Sequence, residues 1–255
     1  MTRRPLFLLV LAALGAAIPS AHAQSRRITV SAAADLARAF PEIAAQFTRK
    51  TGIAVDLNFA STRKLATQIE QGAAVDVFAA ADRPTVEQLD QKGLTAPGTV
   101  QTYAYGRLVL CVPPGSKLRL KQLSDLAGPE VQRISIANPD HAPYGRAARE
   151  ALQGAGLWNQ VGGKVVPGDN VQQALQYVET GNVDAGLVAL SLVQKSKVRW
   201  TLVPERAHRP IEQTLCVVRS TKCEADARKF VAFVTREGRP VLARYGFQLP
   251  GAKKR

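Results

Sequence analysis

Apolar residues along this chain recur in two rhythms, and the rhythms alternate. Leu36, Phe40, Ile43 and Phe47 fall at i, i+4, i+7 and i+11, which predicts an amphipathic helix over residues 35–47. Segments 28–30 and 53–59 on either side read as strands. Residues 62–71 return to the helical period, with Leu65 and Ile69 on one face and Gly72 at the stop. Segment 75–80 is apolar like a buried strand, and residues 84–92 read as a helix. A long apolar strand follows over 106–112, ended by Pro113 and Pro114. Further strands are predicted at 133–137, 164–166, 184–190 and 213–219, and helices at 144–152, 171–179, 224–235 and 239–245. Such alternation indicates an α/β protein with mostly parallel sheets flanked by helices.

Four of these strand-to-helix junctions open on small or polar residues. They are Ser31-Ala32-Ala33-Ala34-Asp35-Leu36, Phe59-Ala60-Ser61-Thr62-Arg63-Lys64, His141-Ala142-Pro143-Tyr144-Gly145 and Pro167-Gly168-Asp169-Asn170-Val171. A helix start carries unpaired backbone N–H groups and a partial positive charge. Several starts that converge make an anion site with no metal and no catalytic side chain. Taken singly, Asp35, Thr62 and Asn170 read as ordinary helix caps, so the joint pattern carries the argument. Two junctions precede residue 65 and two follow residue 140, which places the ligand between two lobes.

The first 23 residues read as an export signal, with Arg3 and Arg4 ahead of an apolar run over 6–18 and Ala21-His22-Ala23 as a small-x-small cleavage site. That run is shorter than the ~20 residues needed to cross a bilayer. The expected product is exported, periplasmic in a Gram-negative cell, and cleaved after Ala23. The charge of +14, from 34 basic and 20 acidic residues, attracts anions over long range. The basic residues are scattered without an interleaved aromatic stripe, which argues against nucleic acid.

Cys111, Cys216 and Cys223 show no C-x-x-C spacing, so either one disulfide with a free thiol or three buried thiols is compatible with them. His22, His141 and His208 are too dispersed for a metal site, and His141 reads as a loop residue beside the third junction. No G-x-S-x-G elbow is present, so hydrolytic chemistry has no candidate nucleophile.

At the four junctions the chain resembles the periplasmic molybdate-binding proteins of ABC importers. The matching stretches span residues 31–47, 51–61, 65–82, 138–152, 168–191 and 244–247. This resemblance implies a two-lobed type II periplasmic binding protein, with a ligand cleft between lobe I (24–107 and 217–255) and lobe II (108–216). The strands near 108–112 and 214–218 would be its crossovers. It also implies a monomer that binds molybdate or tungstate, uses no cofactor, and delivers its anion to a membrane permease. Another tetrahedral oxyanion is the alternative ligand.

Carried over by motif position, the donors fall at Ala34 and Asp35, at Ser61 and Thr62, and at the backbone of Tyr144 and of Val171. A fifth, tyrosine in many relatives, falls at Ala189. Asp35 stands where many members have serine and cannot donate when ionised. The expected resolution is that its carboxylate turns onto Arg63 or Lys64 and leaves the helix N–H groups to the anion.

Overall fold

The computed structural model describes residues 26–251. The expected leader and its cleavage point lie outside that range. In chain order the strands are β1 (Arg27–Ala33), β2 (Ala54–Ala60), β3 (Val77–Ala80), β4 (Gln101–Gly106), β5 (Leu108–Val112), β6 (Ile134–Ala137), β7 (Val165–Gly168), β8 (Ala185–Ala189), β9 (Arg199–Leu202) and β10 (Ile211–Val217). The helices are α1 (Phe40–Thr51), α2 (Thr62–Glu70), α3 (Arg83–Gln91), α4 (Pro143–Gly154), α5 (Trp158–Val161), α6 (Val171–Glu179), α7 (Leu190–Val193), α8 (Glu224–Thr235) and α9 (Arg239–Arg244).

They form two five-stranded sheets, ordered β2-β1-β3-β10-β4 and β7-β6-β8-β5-β9. In each sheet four strands run one way and a single strand, β10 or β5, runs against them. Strands β1, β2, β3, β6, β7 and β8 are each followed by a helix or helical turn, whereas β4 and β9 lead to the other sheet. The four small-residue junctions lie at the ends of β1, β2, β6 and β7.

Two crossings join the lobes. At Arg107 the chain passes from β4 of the first sheet to β5 of the second, so the apolar run over 106–112 is two strands divided by one residue. The return lies between β9 and β10. This corrects the expected lobe II limit at residue 216. All of β10 pairs with β3 and β4 of the first sheet, so residues 211–216 belong with lobe I. An apolar run has no label for the sheet it joins, and only the pairing partners supply one.

The helix expected from residue 35 starts at Phe40 instead, with Pro41 in its first turn. Proline is accepted there but not deeper in a helix. Residues Ala34–Leu36 make a separate 3-10 turn, and α1 ends on Gly52 in the left-handed conformation (φ 71°). Phe40, Ile43 and Phe47 remain on one buried face, as the periodicity requires. That face packs on α8, where Phe230 meets Phe47 edge-on at 5.2 Å and Phe40 at 6.2 Å between ring centroids. The cluster anchors the helix that follows the first junction, so its loss would be felt through the first lobe. We expect Phe230→Ala to lower unfolding free energy by about 3–5 kcal/mol, measured by urea denaturation. A change under about 1 kcal/mol would show that this cluster repacks freely.

Candidate functional site

Three helix starts and the 3-10 turn converge on one small cavity between the lobes. Its lining includes Ala34 and Asp35 after β1, Ser61 and Thr62 at α2, Pro143 and Tyr144 at α4, and Asn170 and Val171 at α6. Its volume is ≈ 10 Å³, about the room of one water molecule. Alanines 33, 60, 81 and 142 complete the wall, so small side chains let backbone reach the guest. Gly145 serves the same end: a Cβ there would collide with the Ala137 carbonyl, so only glycine lets α4 sit this close to β6.

The donors are arranged by what each helix start leaves unpaired. At α6 the Asn170 Oδ1 accepts from the N–H groups of Gln172 and Gln173, both at 3.0 Å, while Val171 at the first position lies outside that cap. At α4 the first backbone bond within the helix is Arg146 N–H to the Ala142 carbonyl, which leaves Tyr144 N–H in the unpaired first turn. At α2 Ser61 does not cap its helix. Thr62 Oγ1 instead accepts from Ala81 N–H at 3.1 Å, which leaves its hydroxyl hydrogen for the cavity. Ser61 Oγ lies 2.9 Å from His141 Nδ1 of the opposite lobe. Burial, with Lys64 adding to it, holds the His141 imidazole below its usual pKa, so the ring is neutral at pH 7. When Nδ1 carries the ring proton, His141 donates to Ser61 and the serine keeps its hydroxyl hydrogen for another acceptor; in the other tautomer Ser61 donates to the ring.

Asp35 does not behave as expected. Its carboxylate turns neither onto Arg63 nor onto Lys64, and it caps no helix. It is fully buried, and its Oδ2 accepts from Gln213 Nε2 at 2.8 Å, with the Tyr144 hydroxyl beside it. Burial pushes its pKa up to about 7, against the partial opposition of those hydrogen bonds. The physical reason is the 3-10 turn: it points the side chain under the turn, toward β10, and away from the exposed start of α2. Lys64 pairs with Asp169 across the cleft instead. Arg63 gives its backbone N–H to the His141 carbonyl at 3.2 Å, and its side chain lines a larger cavity of ≈ 640 Å³ at the cleft mouth. Near it Arg146 of α4 pairs with Asp82 at the start of α3, a second bridge between lobes.

Ala189 is buried in β8 and is absent from the cavity wall. A hydroxyl is found two residues later, where Ser191 Oγ donates to the Asp35 carbonyl at 2.8 Å. Ser191, Gln213 and Tyr103 were not legible as site residues. Gln213 carried the one available signal, a polar side chain at the head of an apolar strand. Among the described residues no group of histidine, cysteine and acidic side chains is placed to hold a metal ion, and Cys111, Cys216 and Cys223 are unbridged thiols. The cavity therefore offers neutral N–H and O–H donors and helix-end dipoles, the chemistry of a bound oxyanion.

Residues 28–248 match the family described as bacterial extracellular solute-binding proteins. The chain is 36% identical to the molybdate-binding protein ModA of Azotobacter vinelandii, over 93% of this chain and 96% of that one. It is 33% identical to the molybdate-binding protein ModA of Escherichia coli, over 98% and 100%. The solved periplasmic molybdate-binding protein of Azotobacter vinelandii superposes with a TM-score of 0.84 at 31% identity, over 88% of this chain and 99% of that one. A sulfate-binding protein of Mycobacterium tuberculosis shares the fold with a TM-score of 0.75 at 15% identity. A two-sheet architecture with a small cavity between the lobes, and these relatives along almost the whole chain, lead to one conclusion: the protein belongs to the bacterial extracellular solute-binding protein family.

Proposed function

We infer that this protein captures molybdate, and tungstate with it, in the periplasm and hands the anion to the membrane permease of an ABC importer. The single observation that carries this reading is the convergence of three helix N-termini on one small cavity between the lobes whose donors are neutral. The relatives named for molybdate binding support the choice of anion. The protein is a solute-binding protein rather than an enzyme, and it needs no cofactor. Molybdenum arrives enclosed by its own oxygens, so no residue acts as a metal ligand.

Selectivity follows from size. Sulfate is the same shape and charge as molybdate but smaller, and donors fixed on rigid helix starts cannot all close onto it. A preorganised ring of donors also spends little of its binding energy on reordering. Isothermal calorimetry on the protein stripped of anion should show tight binding of molybdate and tungstate and much weaker binding of sulfate. Tight sulfate binding with no molybdate response would overturn the assignment.

The backbone donors can be tested one at a time. Val171 is the first residue of α6, where proline is well tolerated, and Asn170 before it is already extended (φ −152°, ψ 176°) as a residue preceding proline must be. Val171→Pro therefore deletes one N–H while sparing the helix. Loss of a hydrogen bond to a charged acceptor costs about 1.5–3 kcal/mol, so molybdate Kd should rise by about 10- to 100-fold with an unchanged thermal melt. An unchanged Kd would remove Val171 from the donor set. Export is checked separately: mass spectrometry of protein recovered from the periplasm should find a chain beginning at Gln24.

A further inference from the structure

Behind the anion cavity, four buried polar atoms have no hydrogen-bond partner among the described residues: Asp35 Oδ1, Tyr103 OH, Tyr144 OH and Gln213 Oε1. They form one group. Asp35 Oδ2 is held by Gln213, the Tyr144 hydroxyl stands against the Asp35 carboxyl, and Tyr103 feels its charge. The group holds two hydroxyl donors and two open acceptors. It is also divided between lobes. Asp35, Tyr103 and Gln213 belong to the first sheet's lobe, and Tyr144 enters from α4 of the other. Gly106 makes room for it, since a Cβ there would land on the Tyr144 hydroxyl.

The same two residues line the cavity. Tyr144 offers its backbone N–H in the first turn of α4, and Asp35 lies in the 3-10 turn beside Ala34. Resting on the reading of the cavity as an oxyanion site, we propose that Asp35 and Tyr144 are an interlobe latch: their side chains meet only when the lobes shut, this fixes their backbones around the anion, and closure takes up a proton on the Asp35 carboxyl. Both are positioning residues. The latch side chains act through the backbone donors they hold in place.

The direction of the proton effect follows from the surroundings. The groups facing the carboxyl are Tyr144 from α4, Tyr103 from β4 and the neutral amide of Gln213 from β10; Ser191 of α7 is engaged with the Asp35 carbonyl. None is a cation, so nothing offsets the buried charge. In the shut form the carboxyl is pushed up to about 7 by burial. In an open form, wetted, it returns toward the ordinary ~3.9. The shut form thus binds more protons. Closure is favoured at low pH, and the advantage is lost as pH rises from about 4 through 7. A bound dianion repels the carboxylate and pushes in the same direction. His141 titrates nearby on the far side of the cavity, bonded to Ser61. Its contribution is common to parent and variants and cancels in the comparison.

The test is calorimetric titration of the anion-free protein with molybdate from pH 5.5 to 8.5, in buffers of differing ionisation enthalpy, on the parent, Asp35→Asn and Tyr144→Phe. In the parent we expect affinity to fall by about 30-fold across this range, with ~1 proton taken up per anion at pH 6 and almost none at pH 8.5. In Asp35→Asn, which keeps the shape without the titration, most of the pH slope and the proton uptake should vanish. Tyr144→Phe keeps the backbone donor, and it should weaken binding by several-fold; combined with Asp35→Asn its effect should shrink. A parent that binds molybdate with no pH slope beyond that of Asp35→Asn overturns the latch and leaves the molybdate reading standing. Binding of a different tetrahedral oxyanion with the expected slope overturns the molybdate reading and supports the latch. A folded protein that binds no oxyanion overturns both.

Discussion

A helix must begin somewhere, and wherever it begins its first N–H groups lack partners inside the helix. The architecture of this protein is organised by where those groups are left. At α6 the Asn170 side chain satisfies the second and third positions and leaves the first. At α4 proline occupies the first position, which has no N–H to satisfy, and the next residue, Tyr144, faces the cavity. At α2 the residue best suited to cap the helix, Ser61, reaches across the cleft to His141 instead. Each choice keeps a donor for the space between the lobes. Burying such donors is costly when nothing meets them, because unmet buried N–H groups lose their hydration. An anion that accepts from these donors removes that cost.

Contacts between lobes differ sharply in depth. Lys64–Asp169 joins side chains that are each nearly half exposed, and pairs of that kind contribute about 0–1 kcal/mol. Arg146–Asp82 is better shielded at the mouth of the cleft. The deepest contacts are polar and contain no cation: Ser191 to the Asp35 carbonyl and Tyr144 beside the Asp35 carboxyl. Asp35 is the expensive member. A carboxylate with no cation near it, fully enclosed, resists ionisation.

The sequence by itself determined a great deal here. Periodicity placed most helices and strands, and it put Phe40, Ile43 and Phe47 on one buried face, as found. The small residues at the ends of β1, β2, β6 and β7 located all four walls of the cavity, because a backbone donor depends on chain geometry and is indifferent to side-chain identity. The motif order sufficed for the family. Other features were closed to a one-dimensional reading. Apolar alternation cannot say which sheet a strand joins, so it misplaces β10 up to residue 216, and it gives no sign of β4 or β9. A side chain's direction is also hidden: Asp35 directly precedes Leu36, where the helical period begins, yet the 3-10 turn sends it toward Gln213 and Tyr144, residues 178 and more than 100 positions away. Burial, and with it the pKa of that carboxyl, is a property of what surrounds a residue in space. Only the closed pair of lobes decides it.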